Sequence, residues 1–319
     1  MELMVNSQLA TSKYGTTFQQ ATETLSNQYF TTIPHVFGRE RPPVLSTGDQ
    51  AKKELDLMLT LADMYIANEI MKQASAVVGV NPLDQRFKGL GMKEMSLLNL
   101  SIEVDHKSLE FQELLDYLKN SSGATHRIHY KVIDIFRIER NGEEDRFNSS
   151  IYANLKSQNR RLLWHGSRST NFGGILSEGL RIAPSEAPAS GYMFGKGVYL
   201  ADTSTKSANY CYSHSSGNMG LLLLCDAELG DPMHEIYHSD FNAGEHAKKA
   251  GKIATLGRGR AIPGDWKNAG SFNTALEGVR MPNVRSKVVE DDKASLMYNE
   301  YVVYDVAQIR QRYLFFVKM

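Results

Sequence analysis

Residues 164–212, WHGSRSTNFGGILSEGLRIAPSEAPASGYMFGKGVYLADTSTKSANYCY, crowd glycines, small hydroxyls and tyrosines into one run. Glycines at 166, 173, 174, 191, 195 and 197 let backbone amides approach a flat ligand closely. Tyr192, Tyr199 and Tyr210 offer ring faces, each stacking contact being worth about 0.5–1.5 kcal/mol beyond simple burial. Taken singly, any one of these tyrosines reads as an ordinary core or surface aromatic. Together the residue types suit a pocket for a planar, polar molecule.

Three shorter motifs are weaker. His234-Glu235-Ile236-Tyr237-His238 matches the zinc-protease pattern H-E-x-x-H, which needs both histidines on one helical face with the glutamate beside a metal-bound water. Gly230, Asp231 and Pro232 stand where that helix should already be running, and Phe241 and Gly244 occupy the positions of the extended motif's glycine and third histidine. The segment reads as a strand end or loop with two solvated histidines; a zinc peptidase is the disfavoured alternative, and no metal is expected. Gly191–Gly197 is one residue short of a phosphate-binding P-loop and lacks the hydroxyl after Lys196. Gly257-Arg-Gly259 lacks the third glycine of a dinucleotide fingerprint.

The elements that must position such a pocket change character along the chain. From Asp49, read as an N-cap, Leu55, Met58, Ala62, Tyr65 and Glu69 follow one helical stripe to about Gln73, widened by Leu59, Leu61 and Ile66. A second helix spans Ser108 to Lys119, with Phe111, Leu114, Leu115 and Leu118 as its apolar side. Residues 31–45 form a proline-broken connection. After Ser121-Ser122-Gly123 the period becomes 2: Ile128, Tyr130, Val132, Phe136 and Ile138 are expected on one face of a strand, interrupted only by Asp134. Further strands are expected at 161–165, 197–201, 220–229, 300–305 and 311–318, with short helices at 170–177 and 204–212. LSIEV (100–104) is a candidate first strand, so the boundary falls near residue 95: a helical unit over 1–95 and a sheet-rich unit over 96–319.

The chain has 36 Lys+Arg against 36 Asp+Glu, which argues against a main task of gripping a phosphate backbone. Cys211 and Cys225 cannot make a disulfide framework, so a reducing, intracellular setting is expected. The longest apolar run, Leu221–Cys225, is far below the ~20 residues that span a bilayer, and the N-terminus lacks a signal-peptide pattern.

The glycine- and tyrosine-rich segment resembles the catalytic domain of the poly(ADP-ribose) polymerases. The resemblance is carried by VIDIFRIER (132–140), RRLLWHGSR (160–168), residues 170–212 and LMYNEYVVYDVAQIRQRYL (296–314). LSNQYFTTIPHVFG (25–38) and RPPVL (41–45) are similar to that family's helical regulatory domain, of which the chain shows only part. The resemblance points toward the DNA-damage-responsive nuclear members. The resemblance implies an α+β fold: a mixed, mainly antiparallel sheet of ADP-ribosyltransferase type behind a partial helical bundle. It implies poly-ADP-ribosylation of proteins and of the growing polymer with NAD as substrate, in the nucleus. Mono-ADP-ribosyl transfer and a non-catalytic NAD-binding scaffold are the alternatives. No DNA-binding module is visible in the chain.

It also implies roles. The Gly166 backbone and the Ser207 hydroxyl hold the nicotinamide carboxamide, and Tyr199 and Tyr210 sandwich its ring. His165 and Ser167 bind the adenine-side ribose, Arg181 reaches the adenine end, and Asn171, Gly174 and Tyr192 shape the pocket. Glu300 accepts from the nicotinamide-ribose 2′-hydroxyl, and His165, Tyr199 and Glu300 form the triad of a chain-elongating member. Without the resemblance Glu300 reads as a strand-edge carboxylate, and Lys206 reads as a solvated lysine rather than that carboxylate's partner.

Overall fold

The computed structural model describes residues 17–33, 35, 42–58, 61, 107–140, 142–183 and 192–319. Among these the strands run β1 (Lys131–Arg137), β2 (Arg160–Gly166), β3 (Val198–Leu200) and β4 (Met219–Glu228). They continue as β5 (His234–Ile236), β6 (Ala254–Gly257), β7 (Gly259–Ile262), β8 (Trp266–Asn268) and β9 (Arg280–Pro282). The last are β10 (Val289–Glu290), β11 (Leu296–Tyr298), β12 (Glu300–Val303) and β13 (Ile309–Lys318).

The strands form a six-stranded sheet ordered β1-β13-β4-β2-β9-β8, a four-stranded sheet β3-β12-β6-β5 and a three-stranded sheet β10-β7-β11. Only β2–β9, β5–β6 and β7–β11 pair in parallel, so the fold is α+β with mainly antiparallel sheets. Leu222 and Leu224 of β4 enter one core, with Trp164, Tyr117 and Phe315, while Leu223 and Cys225 enter the other, with Phe136, Tyr301 and Leu314. A strand covered on both faces needs no polar alternation, which is why Leu221–Cys225 is a continuous apolar run. Each such leucine contributes about 1.5–3 kcal/mol by leaving water.

Trp164 and Ala201 exchange backbone hydrogen bonds of 2.7 and 2.9 Å, stitching the end of β2 to the four-stranded sheet. Behind β2 packs the Leu109–Asn120 helix, capped by Ser108, whose hydroxyl accepts from the Phe111 N–H. Tyr117 belongs to its buried side as well, and its hydroxyl donates to the Leu162 carbonyl at 2.9 Å.

Three expectations are corrected. β1 does not keep one face: its register against β13 slips between Val132 and Asp134, and Ile133 is the extra residue, exposed. The bulge sends Val132 and Ile135 into one core and Phe136 and Ile138 into the other, because one inserted residue inverts every side chain beyond it. The helix over residues 48–58 is capped by Thr47, not Asp49: the Thr47 hydroxyl accepts from Gln50 N, and the Gln50 side-chain Oε1 accepts from Thr47 N. Its expected stripe is only half covered, with Leu55 half-buried and Met58 and Leu61 exposed. The segment 231–275 carries β5 to β8 and the Ala243–Lys249 helix, strands too short to show a period. A further helix, Phe18–Thr32, begins with a capping box between Thr17 and Gln20. The stripe from Ala62 to Gln73, the boundary near residue 95, strand candidate 100–104 and Gly191 lie outside the described residues.

Candidate active site

β2 ends in His165 and Gly166. The His165 Nδ1 lies 3.0 Å from the Tyr199 carbonyl, which can only accept, so Nδ1 carries the proton and Nε2 is left as an acceptor. Burial holds the imidazole below its ordinary value against the opposing pull of that carbonyl, keeping the ring neutral at pH 7. At Gly166 a β-carbon would fall 1.9 Å from the Ser207 carbonyl, so only glycine lets this strand meet the Ser204–Ala208 helix. Ser207 is buried, and its hydroxyl donates to the Trp164 carbonyl at 3.0 Å, leaving its lone pairs to accept from a ligand N–H.

Beyond Gly166 the chain turns through Ser169–Asn171 into the Phe172–Glu178 helix, which buries Gly174. Asn171 donates to the Ser167 hydroxyl at 2.9 Å. Arg181 lies past that helix, exposed, and donates to Glu178 at 3.1 Å.

Tyr199 stands in β3 opposite Val302 of β12. Its hydroxyl donates to the Gly195 carbonyl at 2.7 Å and accepts from the Phe194 N–H at 3.0 Å, closing the loop that precedes it. Gly195 has φ +76°, a conformation that glycine adopts freely, and Phe241 crowds it from outside. The Tyr192 ring lies 6.2 Å from that of Tyr199, and Lys52 of the 48–58 helix sits 4.3 Å over the Tyr192 ring. Tyr210 lies in the Asn209–Cys211 turn with 55% of its surface exposed.

Glu300 opens β12 and is 8% exposed. The expectation of a solvated Lys206 fails here. Its Nζ lies 3.4 Å from Glu300 Oε1 and donates to the carbonyls of Tyr298 and Asn299 at 3.0 and 3.2 Å. A helix position gave no hint of this, because the partners come from a distant part of the chain. Burial draws Lys206 below its ordinary value, while Glu300 and Asp202 oppose that shift. The phenols of Tyr199 and Tyr210 are both raised, first by burial and then by the Glu300 charge, so that charge reaches both rings. Burial pushes the Cys211 thiol up to about 12, so it supplies no thiolate nucleophile at neutral pH.

The structure thus brings His165, Gly166, Ser207, Tyr199, Tyr210 and Glu300 around one region, with Tyr192 at its edge. Sequence reasoning missed Asp202, Lys52 and the pairing role of Lys206. The zinc-peptidase reading is overturned. His234–Ile236 is a strand paired with β6, not a helix, and His234 is half-buried, with Nε2 lacking a hydrogen-bond partner, rather than solvated. Among the described residues no group of three or more His, Cys, Asp or Glu is placed to hold a metal ion. Nor is any described helix long and apolar enough to cross a membrane.

The family model of the poly(ADP-ribose) polymerase catalytic domain matches residues 108–319, and that of the poly(ADP-ribose) polymerase regulatory domain matches residues 2–87. The chain is 40% identical over 293 residues to the poly(ADP-ribose) polymerase of Drosophila melanogaster, covering 91% of this chain and 27% of that protein. It is 41% identical over 294 residues to poly(ADP-ribose) polymerase 1 of Danio rerio, with 91% and 27% covered. To poly(ADP-ribose) polymerase 2-A of Oryza sativa subsp. japonica it is 40% identical over 298 residues, covering 92% and 42%. The chain therefore spans about a quarter of the length of the insect and fish relatives.

Proposed function

Because the chain belongs to the poly(ADP-ribose) polymerase family, we propose that it cleaves nicotinamide from NAD and transfers ADP-ribose to protein side chains and to the growing polymer. The observation that carries this reading is the buried Glu300 carboxylate held by Lys206, on the helix whose Ser207 packs directly against Gly166 of β2.

Nicotinamide leaves NAD as a neutral molecule from a cationic bond, so no protein nucleophile is needed. The protein's work is to hold the ring, orient the ribose and stabilise a positively charged sugar. In this reading the Gly166 backbone and the Ser207 lone pairs hold the carboxamide, and Tyr199 and Tyr210 flank the ring. The unprotonated Nε2 of His165 accepts from an adenine-side ribose hydroxyl, with Ser167 beside it. Asn171, Gly174 and Tyr192 shape the walls, and Arg181 meets the adenine end. Glu300 accepts from the 2′-hydroxyl of the nicotinamide ribose, stabilises charge at the anomeric carbon, and polarises the incoming acceptor hydroxyl as a general base. Lys206 fixes the direction in which that carboxylate points.

We place the boundary between a helical regulatory unit and the catalytic unit near residue 95. Action in the nucleus, on proteins modified after DNA damage, is part of the same reading. Incubation with adenine-labelled NAD, followed by nicotinamide assay and a denaturing gel, tests it. A ladder of modified species supports polymer synthesis. A single shifted band would mark a mono-transferase, and binding without nicotinamide release a scaffold.

A further inference from the structure

Behind Glu300 lies a buried polar cluster that the transfer chemistry does not use. Asp202 is 1% exposed, and its Oδ2 accepts from Asn299 Nδ2 at 2.7 Å and from the Tyr301 hydroxyl at 2.9 Å. Its Oδ1 accepts from the Thr203 hydroxyl at 3.2 Å. The Asn299 side-chain oxygen accepts from Gly259 N at 2.9 Å, tying β7 to the same residue. Arg161 donates to the Tyr301 hydroxyl at 3.1 Å and lies 4.1 Å over the Trp266 ring. Thr203, Asn299 and Tyr301 all donate to Asp202, which is the pattern of an ionised carboxylate, although burial raises its pKa.

The arrangement has a consequence for Glu300. Asn299 and Tyr301 flank it in sequence, and both turn their side chains to Asp202. Glu300 shares the opposite strand face with Val302, the residue across from Tyr199. Asp202 also immediately precedes the segment that carries Lys206 and Ser207. One carboxylate therefore clamps the backbone on both sides of Glu300 and the root of the helix bearing its ammonium partner. A buried carboxylate is a costly way to fill space, since a well-packed apolar group serves stability as well or better.

The geometry points to Asp202 as a positioning residue for the transfer reaction, holding Glu300 through Asn299 and Tyr301. This rests on the transferase reading above. Nicotinamide release from NAD is measured for Asp202→Ala, Asp202→Asn, Asn299→Ala, Tyr301→Phe and the Asp202→Ala/Asn299→Ala double variant, with benzamide affinity and melting temperature alongside. For Asp202→Ala, kcat is expected to fall about 30- to 100-fold, the scale of an ångström-sized misplacement, with benzamide affinity within about threefold. Asp202→Asn keeps an acceptor for both partners and should recover to within about fivefold of the parent. The double variant should lose no more than the worse single, because both act along one path.

A kcat within about twofold of the parent in Asp202→Ala, whatever its melting temperature, overturns the proposal, as do losses that multiply in the double variant. If Asp202→Ala does not fold, Tyr301→Phe decides: a kcat loss of about fivefold at unchanged KM supports the clamp, and an unchanged kcat overturns it. If the parent chain releases no nicotinamide, the transferase reading fails. Crystal structures of the parent and Asp202→Ala (Tyr301→Phe if that variant does not fold) then still decide the clamp: Glu300 displaced from Lys206 supports it, and Glu300 still beside Lys206 overturns it.

Discussion

The Lys206 ammonium has three N–H donors and three oxygens to meet them, the carbonyls of Tyr298 and Asn299 and the Glu300 carboxylate. A lysine satisfied in this way is a fixed charge, and it turns a strand-edge carboxylate into an aimed one. The neighbouring groups are less rigidly held. More than half of the Tyr210 surface is open to solvent, so a ring stacked on it gains only part of a full sandwich. Tyr210→Ala is expected to weaken benzamide by about 0.5–1.5 kcal/mol, read by calorimetry; unchanged affinity would remove Tyr210 from the pocket. His165 makes a prediction with a definite sign. Its folded pKa lies below the ordinary value near 6.5, so the unfolded chain binds more protons between the two. Its contribution to stability is complete above about 6.5, declines as pH falls toward the folded value, and levels off below it. An NMR titration of the imidazole should give a midpoint below 6.5, and one above that value would contradict the neutral ring.

The elements that carry these residues meet at unusually close range. Gly166→Ala pushes a methyl group into the Ser207 carbonyl, so β2 and the Ser204–Ala208 helix must separate. We expect a loss of about 1–3 kcal/mol in thermal melting, with benzamide binding lost as well. An Ala variant that melts and binds like the parent would mean that Gly166 neither packs this tightly nor floors the benzamide site. Such close packing was legible in the sequence as a glycine-rich run between strand-like segments, and β2, β4, β13 and the Leu109–Asn120 helix were legible from apolar runs and periodicity. The β1 bulge was not, because alternation read along one chain cannot reveal an extra residue opposite β13. The strands from β5 to β11 were missed because two to four residues carry no measurable period. Glu300 stood out only through family resemblance, since its partners Lys206, Tyr199 and Tyr210 converge on it only after the sheets assemble.

At the scale of the molecule, two sheets joined at Trp164 and Ala201 bring β2 and β3 together, while the 48–58 helix touches the edge of the site where Lys52 sits over the Tyr192 ring. A cation–π contact of this kind is worth about 0.5–1 kcal/mol, so Lys52→Ala should lower the KM for NAD by about two- to fivefold if the helix restrains entry. A raised KM would show that Lys52 assists binding instead. In the proposed reaction a carboxylate at position 300 drives cleavage and transfer from a pocket that binds NAD without it. This role is tested most directly by measuring nicotinamide release, polymer formation and NAD affinity for the parent chain and Glu300→Gln, which keeps the shape and loses the charge. NAD affinity is expected to stay within about threefold while turnover falls by about 10²–10³-fold and the polymer ladder disappears. A Glu300→Gln chain that releases nicotinamide and builds polymer like its parent would contradict that role.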